Sequence, residues 1–162
     1  MRYWDTSAVL PLIIDEPETA RAKRLADKDP AIAAWWATRT ECMSALARLR
    51  RDGKIESEDE ARTKRLLLQL AGQWTEIAPG KRLHERAERL LSVHPLRAAD
   101  AFQLAAALLW ARGKTVGRGF VSFDDRLRTA ASREGFDVLP ENGPASKPSS
   151  GSSARRQGYF SR

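Results

Sequence analysis

Sulfur and imidazole are scarce in this sequence. Cys42 is the only cysteine, and His84 and His94 are the only histidines. A single cysteine excludes an intrachain disulfide framework and any multi-cysteine zinc or iron–sulfur site. Two isolated histidines are too few to build a histidine metal cage. Long apolar runs are missing as well: nothing approaches the roughly 20 residues that a membrane span needs. The start, Met1-Arg2-Tyr3-Trp4-Asp5, has no basic stretch followed by a long apolar core, so no signal peptide is expected. A cytoplasmic protein with no membrane partner is the expectation.

What is present suits one folded domain. The chain has 162 residues, long enough for a genuine core but not for two. Lysine and arginine exceed aspartate and glutamate by +7. That excess favours polyanionic partners, because basic surface displaces counterions from a phosphate backbone. An arginine-rich composition alone gives the same number, so charge does not decide between the two. After Leu139-Pro140 the composition changes to Asn-Gly-Pro, Lys-Pro-Ser-Ser-Gly-Ser-Ser and Arg155-Arg156. Residues 141–162 hold Lys147, Arg155, Arg156 and Arg162 against Glu141, net +3, which leaves +4 of the +7 for residues 1–140. The segment has too little apolar surface to offset chain entropy, and a disordered tail following a 1–140 domain is expected.

Within 1–140, short apolar runs alternate with longer amphipathic segments. Strands are predicted at 2–5, 31–36, 74–78, 119–123 and 136–139. Helices are predicted from Thr6-Ser7 through Leu12, at 17–27, 40–51 and 57–71, after Pro79-Gly80, at 96–111 and at 126–133. The hydroxyls of Thr6 and Ser7 are candidate caps for the first helix, and Asp125 for the last. Strands alternating with helices indicate an α/β domain with a mainly parallel, doubly wound sheet. Such a sheet binds ligands beyond the carboxyl ends of its strands, near the point where strand order reverses.

Four acids stand out against that frame. Asp5 and Asp124 each follow an apolar strand, which puts both carboxylates at the same sheet edge. Either alone is explained as a helix cap; two together make a pattern. Asp100 lies one helical turn from Leu96 and from Leu104, in line with apolar residues where a carboxylate would be desolvated. Arg97 is placed to pair with it. Glu41 begins a helical line continued by Ala45 and Leu49, where a first-turn acid also suits the helix dipole. Gathered together, four carboxylates would repel and raise one another's pKa values. A hard divalent cation resolves this, and carboxylate with water is the ligand set of magnesium or manganese. Such ions activate water and stabilise charge on a phosphoryl group, so an acidic metal pocket on a basic body points to a nuclease.

At these residues the sequence resembles PIN-domain ribonucleases, in particular the VapC-type toxins of toxin–antitoxin modules. The resemblance rests on Tyr3-Trp4-Asp5-Thr6-Ser7-Ala8, on Glu41-Cys42-Met43-Ser44-Ala45-Leu46-Ala47-Arg48, on Leu96-Arg97-Ala98-Ala99-Asp100-Ala101 with Leu104-Ala105-Ala106-Ala107, and on Phe120-Val121-Ser122-Phe123-Asp124. It covers roughly residues 1–140 and implies a three-layer α/β/α sandwich and an endoribonuclease dependent on Mg²⁺ or Mn²⁺. Asp5, Glu41, Asp100 and Asp124 would form the acidic quartet, with Asp5, Asp100 and Asp124 on the metal and Glu41 binding it or orienting water. Thr6, Ser7 and Ser122 match supporting hydroxyls, and Arg48, Arg50 and Arg51 are candidates for RNA phosphates. The resemblance also implies RNA as substrate, a VapB-type antitoxin that puts an arginine-bearing segment into the pocket, and homodimerisation. Gln103 departs from the family pattern, standing where many relatives carry histidine. Asp125 beside Asp124 leaves that assignment open by one residue, and one ion or two remain alternatives.

Competing readings fit less well. A haloacid-dehalogenase-type phosphatase needs a second aspartate where Ser7 stands, and a receiver domain needs a lysine near the last strand, where residues 120–139 have none. A catalytically silent module that binds RNA or its antitoxin remains the alternative, and DNA remains a possible target. Cys42 reads as a small buried residue, and Trp35, Trp36, Trp74 and Trp110 as core or interface.

Overall fold

The computed structural model describes residues 1–141. The order of elements is β1 (Arg2–Trp4), α1 (Thr6–Ile13), α2 (Thr19–Lys28), β2 (Ile32–Trp35), α3 (Thr38–Arg51), α4 (Ser57–Ala71), β3 (Thr75–Ile77), α5 (Lys81–Val93), α6 (Ala98–Trp110), β4 (Gly119–Val121), α7 (Asp125–Arg133) and β5 (Asp137–Leu139). The expected tail lies outside the described residues, apart from exposed Glu141.

All four strand pairings are parallel, in the order β3-β2-β1-β4-β5. The chain builds leftward from β1 to β2 and β3, then returns to add β4 and β5 on the right. Strand order therefore reverses at β1, where Tyr3 faces Ala33 in β2 and Phe120 in β4.

Alternation along the short strands feeds two cores. Tyr3, Ala33, Trp35 and Phe120 face one side, packed against Leu83, Ala87 and Leu90 of α5, Leu104 and Leu108 of α6, and Leu127 and Ala130 of α7. Trp4, Ile32, Ala34 and Val121 face the other, against Ala8, Val9, Ala22, Cys42 and Leu67 from α1 to α4. The period-two switch of side-chain direction makes a strand serve both faces at once. The result is the three-layer α/β/α sandwich expected from the sequence.

Local details differ from the sequence reading in instructive ways. The α1 cap is not a hydroxyl of Thr6 or Ser7: the Asp5 carboxylate accepts from the Ala8 amide at 3.1 Å. Asp125 is not the cap of α7 either. Asp124 takes that place, accepting from the Leu127 amide at 2.8 Å, and Asp125 is the exposed first residue of the helix. Both aspartates reach an amide three residues on, which is the geometry that a short carboxylate satisfies well. Of the tryptophans, Trp35 and Trp74 are buried, Trp110 is partly buried, and Trp36 is 53% exposed.

Candidate active site

The carboxyl end of β1 turns directly into α1, so Asp5 sits at the floor of a cleft at the reversal point of the sheet. The cleft, about 360 Å³, is lined by Asp5, Thr6, Ser7, Glu41, Ser44, Arg48, Asp100, Gln103 and Asp124, with Leu10, Ala45 and Ala99. All four acids singled out from the sequence therefore face one space. Each arrives from a separate element: the end of β1, the first turn of α3, the first turn of α6 and the cap of α7. Ser122 is fully buried behind it, whereas Arg50 and Arg51 lie further along α3, outside the lining.

Asp5 is 4% exposed, and burial pushes its carboxyl up to about 7. Hydrogen bonds from the Ser7 side chain (2.8 and 3.0 Å), from backbone amides and from Ser122 pull in the other direction without cancelling the desolvation. Ser7 also accepts from the Phe123 amide at 2.8 Å, and Ser122 accepts from the Asp124 amide at 3.1 Å. The two serines thus tie the end of β1 to the segment after β4.

Glu41 is held by one of its two oxygens. Its Oε2 accepts from the Thr6 hydroxyl and from Gln103 Nε2, the latter at 2.8 Å. Gln103 is 3% exposed, and its Nε2 also lies 3.0 Å from Thr6 Oγ1 and 3.1 Å from Thr38 Oγ1. On its other side, the buried Tyr3 hydroxyl donates to Gln103 Oε1 at 2.7 Å. A carboxylate only accepts, so the amide must turn nitrogen towards Glu41 and oxygen towards Tyr3. Among the described residues Glu41 Oε1 has no hydrogen bond and remains available to the cleft. From the sequence Gln103 stood out only as a departure from the family pattern, a structural or substrate-side difference and not a loss of the metal site. Its signal was a polar side chain in the Ala-Phe-Gln-Leu-Ala run of the most apolar helix.

Asp100 departs from its expected setting. It is half-buried, not desolvated among leucines, and it does not pair with the Arg97 side chain. Its Oδ2 instead accepts from the Arg97 backbone amide at 3.3 Å, closing the first turn of α6. The reason is its place three residues into a helix that begins at Ala98, so that Leu96 lies before the helix and defines no face with it. The strongly desolvated acid is Asp5.

A divalent cation fits these donors. None of the ion pairs among the described residues involves any of the four acids, so buried Asp5 has no side-chain cation paired with it. Every donor in the cleft other than Arg48 and the Gln103 amide nitrogen is oxygen, the preference of a hard ion. Among the described residues, no three histidine, cysteine, aspartate or glutamate side chains are grouped closely enough to enclose an ion. A divalent ion held here would bind through one or two of these carboxylates and keep several waters.

Cys42, next to Glu41, is fully buried, and desolvation together with the charges of Glu41 and Asp5 pushes its thiol up to about 12. It stays a packed thiol and not a nucleophile.

The sequence model of the PIN domain family matches residues 2–132. The chain is a PIN-domain protein. PIN domains are in general nucleases, so membership supports a hydrolase acting on nucleic acid. The fold of this PIN domain is similar to that of FitAcB from Neisseria gonorrhoeae, with a TM-score of 0.60 and 17% identity over 85% of this chain and 96% of that one. It is similar to PAE2754 from Pyrobaculum aerophilum, at 0.60 and 20% over 86% and 90%. It also resembles FitAB bound to an IR36 DNA fragment, at 0.61 and 15% over 86% and 94%. At these identities the likeness is one of fold. No curated protein sequence matches the chain.

Proposed function

We propose that this PIN domain is an endoribonuclease dependent on Mg²⁺ or Mn²⁺, acting in the cytoplasm as the toxin of a VapBC-type toxin–antitoxin pair. The observation that carries the reading is the meeting of Asp5, Glu41, Asp100 and Asp124 in one cleft, with Asp5 buried and paired with no cation. Asp5, Asp100 and Asp124 would hold the ion, directly or through its waters, and the ion would supply activation of water and neutralisation of charge on the phosphate. Glu41 Oε1 is the free acceptor that orients the attacking water and receives its proton. Water then adds to phosphorus in line with the departing ribose oxygen, the P–O bond to that oxygen breaks, and the released oxygen takes a proton from solvent. Ser7 and Ser122 keep the carboxylates in register, and Arg48 at the cleft wall meets a flanking phosphate. Arg50 and Arg51, further along the same helix, are kept as weaker phosphate contacts.

An acidic cleft of this size is also where an antitoxin with an arginine-bearing segment would block the site, supplying the cation that Asp5 lacks. A homodimer is proposed with it. FitAB was solved on a DNA fragment, and metal chemistry does not by itself distinguish sugars, so single-stranded DNA is the substrate to compare.

The test is cleavage of single-stranded RNA and DNA by the antitoxin-free protein, with Mg²⁺ or Mn²⁺ and with EDTA. RNA should be cut only with metal. Asp5→Asn and Glu41→Gln should each lose more than about 100-fold, because removing even outer-shell partners of a metal site costs 10–100-fold. Folded variants that cut as well as wild type would sink the assignment. Metal binding without cleavage of either nucleic acid would leave a silent binding module.

A further inference from the structure

The molecule carries a second charged surface, on the side of the sheet away from α3. Arg82, Arg86 and Arg89 recur at i, i+4 and i+7, on the face beside the buried stripe of Leu83, Ala87 and Leu90 on α5. Helical spacing puts the three on one face. They line two adjoining grooves of about 430 and 470 Å³ against the end of α6. Leu108 and Leu109 form the floor, and Arg112 reaches in from the turn that follows. Arg89 is engaged by Glu134 at 2.9 Å. Among the described residues, Arg82, Arg86 and Arg112 take part in no ion pair and no side-chain hydrogen bond. The one acid lining the grooves, Glu85, lies 3.7 Å from Lys81.

Three guanidinium groups share these grooves with a single acid, which lies against Lys81, so positive charge is in excess and a polyanion relieves their repulsion. Arg112 adds a backbone signal. It has φ 51°, in the left-handed region that glycine and asparagine occupy more readily, and Gly113 beside it has φ 74°. A long cation stands where glycine or asparagine would be favoured. The face from Arg82 to Arg89 extends about 10 Å along the helix. A base-stacked strand carries a phosphate about every 3.4 Å, so this length matches about three phosphates. Leu109 is nine residues beyond Asp100 on α6, which puts the groove about 13 Å along the helix from the acidic cleft.

We propose that the groove between α5 and the end of α6, lined by Arg82, Arg86 and Arg112, is a phosphate-binding surface for the nucleic-acid substrate, separate from the cleft where it is cut. The proposal rests on the nuclease reading for the identity of the polyanion, and not on the metal chemistry. Binding here anchors the strand without contacting the reacting phosphate. Its loss therefore weakens association and leaves the chemical step intact.

The experiment measures binding of a labelled 20-nucleotide single-stranded RNA in EDTA, where nothing is cut, between 50 and 200 mM salt. The triple variant Arg82→Gln, Arg86→Gln, Arg112→Gln is compared with wild type and with a charge-matched control, Lys23→Gln, Arg24→Gln, Arg65→Gln, whose positions are exposed and outside the grooves. The groove triple should bind at least about tenfold more weakly at 50 mM salt. Its slope of log affinity against log salt should be shallower by about 2, as expected for three lost phosphate contacts on a single strand. Under metal it should raise KM and keep kcat. Equal effects from both triples, or no change from the groove triple, would overturn the proposal and leave the arginines to a protein partner. Weakened binding by the groove triple in a protein that cuts no RNA would uphold this surface while removing the ribonuclease reading.

Discussion

Asp5 serves two demands at once. Its carboxylate caps α1, and it sits almost wholly out of water with its carboxyl pushed up to about 7. A carboxyl raised above its unfolded value binds more protons in the folded state than in the unfolded one. Its contribution to stability is therefore full below about pH 4 and is lost as pH rises through about 7. Without divalent ions, Asp5→Asn should gain thermal stability over wild type as pH goes from 4 to 8, and Mg²⁺ or Mn²⁺ should close the gap by stabilising wild type alone. Parallel curves for the two proteins would show that Asp5 carries no such burden. Gln103 gives a second residue-scale test. Replacing it with leucine should cut cleavage about 10–100-fold, the range for groups that orient metal ligands. It should also destabilise by about 1–3 kcal/mol, because the buried Tyr3 hydroxyl is left unpaired. Adding Tyr3→Phe removes that orphan and should recover most of the stability but not the cleavage. Urea unfolding and turnover measured together decide it: recovery of both would reduce Gln103 to a core residue.

At the scale of elements, the acids owe their convergence to helix starts. Asp5 and Asp124 follow β1 and β4 as caps, while Glu41 and Asp100 occupy the first turns of α3 and α6. Capping and metal binding are not rival explanations of an aspartate, since a carboxylate has two oxygens and each can be spent separately. Asp124 shows how to separate them. Its Oδ1 is committed to the Leu127 amide. Asparagine can keep that bond and alanine cannot. Asp124→Asn should hold the thermal midpoint, Asp124→Ala should lose about 1 kcal/mol, and both should lose cleavage. An asparagine variant that still cuts would leave Asp124 as a cap alone. The strands and helices were legible element by element: the alternation of Tyr3 and Trp4, the leucines of α4 and α5, and the alanine-rich α6 all mark their faces in sequence. The cap identities stayed open in the sequence: Asp5 and Asp124 were candidate caps beside Thr6, Ser7 and Asp125, and only the turn geometry after each strand chooses among them.

For the whole molecule, both cores and every strand and helix among the described residues lie between Arg2 and Leu139. We accordingly propose that residues 1–140 form the complete catalytic unit. A chain ending at Pro140 should keep the thermal midpoint and kcat of the full protein, and a large drop in either would place residues 141–162 within the domain's function. Charge is distributed on the same scale. Four acids meet in one cleft at the reversal point of the sheet, while Arg82, Arg86 and Arg112 line the grooves between α5 and α6. Under the proposed function a polyanion would be drawn to the basic surface and cut where the body is locally negative, with an ion between substrate and protein.

The sequence by itself determined the α/β class, the parallel sheet, the end of the apolar chain near Leu139 and the four acids worth watching. Each of these follows from periodicity or from an acid at an element boundary, both of which are local. Tertiary structure alone decided which acid is stripped of water, which oxygen of Glu41 stays free and what Gln103 does. Burial depends on what packs above a residue, and Gln103 bonds with Tyr3 of the sheet and Glu41 of the other helical layer, 100 and 62 residues away along the chain. The arginines of α5 stand at helical spacing in the chain, but nothing in the sequence singled them out. That Arg112 joins them depends on how α6 crosses α5, and no local pattern in the chain carries that information.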